Sequence, residues 1–531
     1  MGVKRVLVAD ALTPEGVSIL QEATGLAVED RVGVSRAELR QALRGASGLV
    51  VRSGTRVDAE LLGAADALEV IGRAGVGLDN IDLEAATRRG VAVLNAPAGN
   101  TISTTELAFG LLLAAARKIA AADRSVRGGE WDRRGLTGAQ LCGRTLGVVG
   151  VGRIGTEMTR RARAFGLAVL AYDPYVDPDR AEELGIRIVE LDELLSRADF
   201  VTLHLPLTDE TRGLLDAERI ARMRPGAILV NTARGGLVDE QALAAALRSG
   251  RLAAAALDVF ETEPLPSDHP LRNAPNLTLT PHIGASTPEA QAKVATEIAL
   301  AVRDALLEGD LRAAVNVTPI GVAERRRLQP ILELARRLGR AAAGLSGGTA
   351  TRLEVRLAAP EQRGLRLVAS AVVAGFLRDL ETGPLNFVNA LAVAAERGLE
   401  VERSRLKPQA GHVAWVEVVA VGGARPASLA GALRGDLSGG IVRVDGYPVN
   451  VAPRGTLLFV RNRDVPGVVG QVGTRLGDAG VNIGEFHQAR DTKGGEALAV
   501  IGLDEELSPS SLRELRALPE VLDATQVRLD D

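Results

Sequence analysis

The 531-residue chain holds a single cysteine, Cys142, so no intramolecular disulfide framework can form and a reducing compartment is expected. Excess charge is also missing. The 63 Lys and Arg residues face 67 Asp and Glu, a net −4, which removes the basic footprint of a nucleic-acid binder. Residues 1–30 show no basic segment followed by an apolar one, so no secretory leader is read there. Ala- and Leu-rich stretches such as Leu107–Ala116 are too short, and too closely flanked by polar residues, to span a bilayer. These absences point to a cytoplasmic protein with neither membrane nor nucleic acid as partner. The length suffices for three or four domains, and 46% hydrophobic with 24% charged residues supports buried cores under a polar surface.

Among the motifs present, Gly150-Val-Gly152-Arg-Ile-Gly155 stands out by its setting. The apolar run Thr145–Val149 before it reads as a strand, and Ile154, Met158, Ala162 and Phe165 after it recur at helical spacing. Glycines at a strand–helix turn let the backbone approach a pyrophosphate, whose charge then faces the helix N-terminus. A second strand, Ala168–Tyr172, ends in Asp173, eighteen residues beyond Gly155. A carboxylate there accepts from ribose hydroxyls and repels a 2′-phosphate, which favours NAD over NADP. No metal site is assigned.

Three further residues supply what oxidation of a 2-hydroxy acid needs. His282, in Pro281-His-Ile-Gly-Ala-Ser-Thr287, can take the hydroxyl proton. Glu263, in Glu261-Thr-Glu-Pro264, can hold the imidazole and favour its protonated form. Arg234, in Asn231-Thr-Ala-Arg-Gly-Gly236, offers a planar fork for a carboxylate. Each residue alone is more often structural; their order behind a dinucleotide turn is what carries the reading.

The segment from Gly147 to Thr287 resembles the D-isomer-specific 2-hydroxyacid dehydrogenases, through GVVGVGRIG, the Asp173 strand end, His204-Leu-Pro206, NTARGGLVDE, LDVFETEP and PHIGAST. The resemblance implies that Arg234, Glu263 and His282 are catalytic. It also implies cofactor contacts from Gly150, Gly152, Arg153, Ile154, Gly155, Asp173, Thr232, Ala233, Asp258 and Gly284. Val51–Thr55 and Gly72–Asn80 match family motifs that line the cleft, which makes Arg52, Ser53, Arg73, Val76 and the hinge residue Asn100 substrate candidates. Arg133 and Arg134, after Trp131, are candidates for reaching a substrate phosphate, from a neighbouring subunit if not from their own. Ser103-Thr-Thr-Glu106 reads as a capping box opening a long helix.

The C-terminal part reads as βαββαβ from residue 455 onward. Thr456–Arg461 is a strand, Asp464 caps a helix, Val481–Arg490 and Glu496–Leu503 make a hairpin, Ser508-Pro509 opens a second helix, and Val521–Leu529 closes the unit. This module resembles an ACT domain, which implies that Asn462, Asp464 and Asn482 bind an amino-acid effector, L-serine. Residues 317–452 mix helices at Ala323–Ala343 and Asn386–Arg397 with strands at Arg352–Leu357, His412–Val421 and Ile441–Val444. Through Gly383-Pro-Leu-Asn-Phe-Val-Asn-Ala390 they resemble the intervening regulatory domain of the long-form phosphoglycerate dehydrogenases.

The expected fold is α/β. Two doubly wound parallel-sheet lobes come first, a Rossmann-type NAD domain (99–284) inserted in a flavodoxin-like substrate domain (1–98 plus 285–316). A mixed α/β regulatory domain (317–452) and a βαββαβ ACT domain (453–531) follow. The resemblance implies NAD-dependent oxidation of 3-phosphoglycerate, the first step of L-serine biosynthesis, in a homo-oligomer, dimer or tetramer, with L-serine as effector. Two other readings stay open: a reductase of glyoxylate, hydroxypyruvate or another unphosphorylated 2-oxo acid, and an NAD-sensing binding protein without turnover.

Overall fold

The computed structural model describes residues 2–359, 364–381, 383, 385–409 and 411–530; Pro384 of the Gly383–Ala390 segment lies outside them. Strands β1 (Lys4–Val8), β2 (Leu26–Asp30), β3 (Gly48–Val51), β4 (Val70–Arg73) and β5 (Ala92–Asn95) form an all-parallel sheet. Its order, β2-β1-β3-β4-β5, is the flavodoxin-like one. The strands are apolar runs because both faces are covered by helices, which leaves no alternation to maintain.

A second all-parallel sheet comprises β6 (Thr145–Val149), β7 (Ala168–Tyr172), β8 (Arg187–Ile188), β9 (Phe200–Leu203), β10 (Ala227–Asn231), β11 (Leu252–Leu257) and β12 (Leu277–Leu279). The order β12-β11-β10-β9-β6-β7-β8 is the dinucleotide-binding order with one strand added. Direction of growth reverses between β6 and β9, which opens a crevice beyond their carboxyl ends. Two helices join the lobes. Thr101–Ala116 packs Ala108, Leu111 and Leu112 into the second core, and Pro288–Glu308 returns Val294, Ile298 and Val302 to the first.

The third sheet, β14-β13-β15-β16-β17-β18, is mixed: β13 (Arg352–Ala358) runs parallel to β14 (Glu400–Arg405). It runs antiparallel to β15 (Ala414–Val421), and β16 (Ala427–Leu433), β17 (Gly439–Val444) and β18 (Tyr447–Val451) continue the antiparallel pattern. Helices Val322–Ser346 and Gly364–Leu377 share its core. Asn386 Nδ2 donates to Gly90 O at 2.8 Å, fastening this unit to the first lobe. The last sheet is antiparallel, in the order β20-β21-β19-β22. Its strands are β19 (Thr456–Arg463), β20 (Ile483–Arg490), β21 (Glu496–Leu503) and β22 (Val521–Arg528), with helices Val468–Asp478 and Pro509–Arg516 completing βαββαβ. Among the described residues, no helix is long and apolar enough to cross a membrane.

Three local expectations fail for identifiable reasons. Ser103 is no cap: the helix already begins at Thr101 behind Asn100, and the Ser103 hydroxyl donates instead to Asn100 O and Gly284 O. Asp464 does not cap Val468–Asp478, whose N-cap is Gly467. Its carboxylate accepts from Gly494 N and Arg490 Nη1, which hold it below the usual carboxylate range. Phe165 lies one residue past its helix and half exposed, edge-on to Phe109.

Candidate active site

The dinucleotide turn is closed toward the protein and open outward. Gly150 has φ +93°, and a Cβ there would meet His204 O at 2.7 Å; one on Gly155 would overlap Gly150 O. Gly152, by contrast, has no heavy atom within 4 Å of its missing Cβ. Helix Arg153–Ala164 follows its N-cap Gly152 with no side-chain cap, so among the described residues its first amides, those of Arg153 and Ile154, are left without a capping partner. Asp173 Oδ2 accepts from Val151 N at 2.8 Å and Oδ1 from Tyr175 N at 2.9 Å, which sets the carboxylate at the edge of the turn.

Across the crevice, Asn231 shapes the next loop. Its Oδ1 accepts from Ala233 N at 3.0 Å and its Nδ2 donates to Arg234 O at 2.7 Å. Among the described residues, Thr232 Oγ1 and His204 Nδ1 are buried without a partner. Burial alone pushes the His204 imidazole down to about 3, so it is neutral, and its Nε2 lies 3.0 Å from Thr202 Oγ1. A glycine cradle, uncapped amides, an acidic strand end and unpaired buried polar atoms together fit a bound dinucleotide.

His282 sits at φ +53°, an uncommon conformation for a non-glycine residue. The loop around it is fixed by Asp258, which is 1% exposed and accepts from Thr280 Oγ1, Ile283 N and Gly284 N. Asp258 thus builds the loop, and Gly284 O receives Ser103 and Thr104 hydroxyls from the first turn of Thr101–Ala116. His282 Nδ1 lies 2.7 Å from Glu263 Oε2, while Phe260 N donates to Glu263 Oε1 at 3.0 Å. With Nδ1–H on the carboxylate, Nε2 carries the lone pair and can accept a proton.

Arg234 reaches from the second lobe to the first, where its Nε donates to Asp79 Oδ2 at 3.1 Å and its Nη1 to Ala233 O at 2.6 Å. Below it, Arg73 folds over Gly75, whose φ of +151° and lack of a Cβ make the room. Among the described residues Arg73 Nε is buried without a partner, and the guanidinium donates to Ala74 O at 3.5 Å. Burial lowers its pKa, the Arg234 and Arg52 charges add to this, and Asp79 and Asp10 oppose it. Three cations with too few counter-charges make an anion site.

Arg52 and the exposed Ser53 stand on a loop held by Asp10 and Asn80. Asp10 takes Arg52 N, Thr55 N and Thr55 Oγ1, and Asn80 Nδ2 donates to the carbonyls of Arg52 and Thr55. Val76 O is fixed by Asn95 Nδ2 at 2.8 Å, and Asn100 Oδ1 at the hinge is buried with no partner among the described residues. Arg133 and Arg134 are fully on the surface after helix Ile119–Arg127, and no contact joins them to this cleft among the described residues. Sequence reasoning missed Asp79, Asn231, Glu240 and His269. Asking which acid answers a cluster of arginines would have found Asp79 inside the Gly72–Asn80 motif.

The effector candidates divide. Asn462 is buried on β19, paired with Ala497, and Asp464 N donates to Gly495 O just before β21. Asn482 lies beyond the far end of β21, with its Nδ2 on Asp504 Oδ2 at 2.7 Å. The eight residues of β21 separate the two groups by about 25 Å.

Residues 109–284 match the family described as D-isomer specific 2-hydroxyacid dehydrogenase, NAD binding domain. Residues 327–445 match the D-3-phosphoglycerate dehydrogenase intervening domain, and 456–520 the ACT domain. Among curated relatives, the D-3-phosphoglycerate dehydrogenase of Archaeoglobus fulgidus is 41% identical over 99% of this chain and 100% of its own. That of Mycobacterium tuberculosis is 44% identical over 100% of both. The solved TT0316 protein of Thermus thermophilus is 43% identical at TM-score 0.53, covering 57% of this chain and 97% of its own. A D-lactate dehydrogenase from Aquifex aeolicus, solved with NAD and lactic acid, is 30% identical at TM-score 0.51, covering 58% and 97%. The two parallel lobes, the two domains behind them and similarity along the full length agree: the chain belongs to the D-3-phosphoglycerate dehydrogenase family, in the form that carries an intervening and an ACT domain.

Proposed function

We propose that this chain oxidises 3-phospho-D-glycerate to 3-phosphohydroxypyruvate with NAD, opening L-serine biosynthesis in the cytoplasm. The observation that carries the reading is the Glu263–His282 pair in one lobe, together with Arg234 of that lobe reaching across to Asp79 and to the under-neutralised Arg73 in the other. Gly150, Gly152, Arg153, Ile154, Gly155, Asp173, Thr232, Ala233, Asp258 and Gly284 would hold the dinucleotide, which supplies the hydride acceptor. His282 Nε2 takes the substrate hydroxyl proton, and Glu263 stabilises the imidazolium that results. Arg234 forks the carboxylate and orients the carbon that is oxidised. Arg73 and Arg52 take the phosphate, beside Ser53, Val76 and Asn100. Arg133 and Arg134 serve only if a neighbouring subunit brings them to the cleft. The domain limits that go with this reading are 1–98 plus 285–316, 99–284, 317–452 and 453–531.

NADH oxidation with 3-phosphohydroxypyruvate against unphosphorylated hydroxypyruvate tests the substrate. We expect a strong preference for the phosphorylated acid, and Arg73→Ala should lower its kcat/KM by roughly 30- to 100-fold, about 2–3 kcal/mol of charge-assisted bonding. The unphosphorylated acid should lose far less. Equal use of both acids by the unaltered enzyme would move it to the glyoxylate and hydroxypyruvate reductases.

Asp173→Ser removes the charge that repels a 2′-phosphate and leaves an acceptor for Val151 N. The NADP-to-NAD ratio of kcat/KM should rise roughly tenfold or more. An unchanged ratio removes Asp173 from cofactor choice.

L-serine is the effector we assign to Asn462, Asp464 and Asn482. Because about 25 Å separates the two groups within one chain, a single ligand meets all three only between two copies, which argues for a homo-oligomer.

A further inference from the structure

Behind the Glu263–His282 pair lies a second carboxylate–imidazole pair. Glu240 opens helix Glu240–Arg248 and is 5% exposed, an uncommon burial for a carboxylate. Its Oε2 lies 3.2 Å from His269 Nε2, and its Oε1 accepts from Glu261 N at 2.7 Å. His269 caps the short helix Pro270–Asn273 by accepting from Leu271 N through Nδ1, at 3.4 Å. An imidazole that accepts at Nδ1 must carry its proton on Nε2, so His269 donates to Glu240.

The peptide that Glu240 grips is crowded from the other side. A Cβ on Gly235 would overlap the carbonyl of Phe260 and the nitrogen of Glu261, so the backbone next to Arg234 lies directly against it. From the same stretch, Phe260 N holds Glu263 Oε1, whose partner oxygen meets His282. Phe260 therefore joins two consecutive peptides, one packed against the Arg234 loop and gripped by Glu240, the other holding the Glu263 carboxylate.

We propose that Glu240 and His269 are positioning residues for the reaction: they clamp the 260–261 peptide and so hold Glu263 in register with His282 and Arg234. The proposal rests on Glu263 and His282 being the catalytic pair. Glu240→Gln keeps the shape and an acceptor for Glu261 N, but its amide must set a donor against His269 Nε2–H unless one group flips. Glu240→Ala removes both bonds.

The full-length enzyme is assayed with NADH and 3-phosphohydroxypyruvate, with thermal unfolding followed alongside. We expect kcat to fall about tenfold or more in Glu240→Ala and by roughly threefold in Glu240→Gln and His269→Asn, because small misplacements of catalytic groups are costly. The KM for NADH should stay within about twofold. Retained kcat in Glu240→Ala overturns the proposal, as does a loss of kcat in Glu240→Gln that only tracks a smaller folded fraction. A Glu263→Gln control separates the two readings. If it stays fully active, the catalytic assignment itself fails; if it is inactive while Glu240→Ala is not, only the clamp does.

Discussion

His282→Ala should lower kcat by roughly a thousandfold or more while NADH binding, followed by fluorescence titration, stays within about threefold. The reasoning is geometric. Nδ1 is committed to Glu263 at 2.7 Å, so Nε2 is the one ring atom left to take the hydroxyl proton, and alanine leaves no group in its place. Asp258, Thr280 and Gly284 hold the loop without help from the imidazole, so the fold and the cofactor cradle should survive. A variant that binds NADH and still turns over at a tenth of the normal rate would falsify the assignment. A variant that neither binds nor turns over would point to a structural role instead.

Gly155→Ala should act on the cofactor. A methyl group there would overlap Gly150 O, a backbone atom that cannot move without unwinding the turn between β6 and its helix. A forced shift of this kind costs about 2–4 kcal/mol, so we expect NADH to bind roughly 30-fold to 1000-fold more weakly. Thermal unfolding of the free enzyme should change less than its stabilisation by NADH. Unaltered NADH affinity would mean that the dinucleotide does not lie against this turn.

Much of this architecture is legible in the chain itself, for physical reasons. Thr145–Val149 and Ala168–Tyr172 coincide with observed strands because apolar runs and turn glycines mark them out. The last module's order is readable for the same reason. Helix Gly364–Leu377 escaped because it is apolar almost all round, with Arg366 its one charge, and lies buried against Val322–Ser346 and the third sheet, which leaves little amphipathic period. Strand β2, at a sheet edge with only Leu26 buried, carries too little pattern to stand out.

In the site, single residues were readable and their pairings were not. Arg234 and Asp79 are 155 positions apart, and nothing local in either segment announces the other. Ser103 and Asp464 misled because their sequence contexts fit helix caps, while tertiary partners, Gly284 O and the Arg490–Gly494 hairpin, compete for the same atoms. Nothing in the sequence around His269 singles it out; the fold sets it against Glu240.

The Arg234–Asp79 pair changes what it means for a substrate to arrive. One edge of the guanidinium, Nε, is already held by a carboxylate from the facing lobe, so an incoming acid does not meet an empty socket. If Arg234 takes the substrate carboxylate as proposed, the acid displaces a tenant of the same chemistry, and the charge at the fork is conserved as Asp79 swings back to water. Affinity for the acid is then a difference between two similar bonds, which keeps binding modest and release of the product easy. What the enzyme gives up in grip it recovers in an arginine held out of solvent and aimed before anything binds.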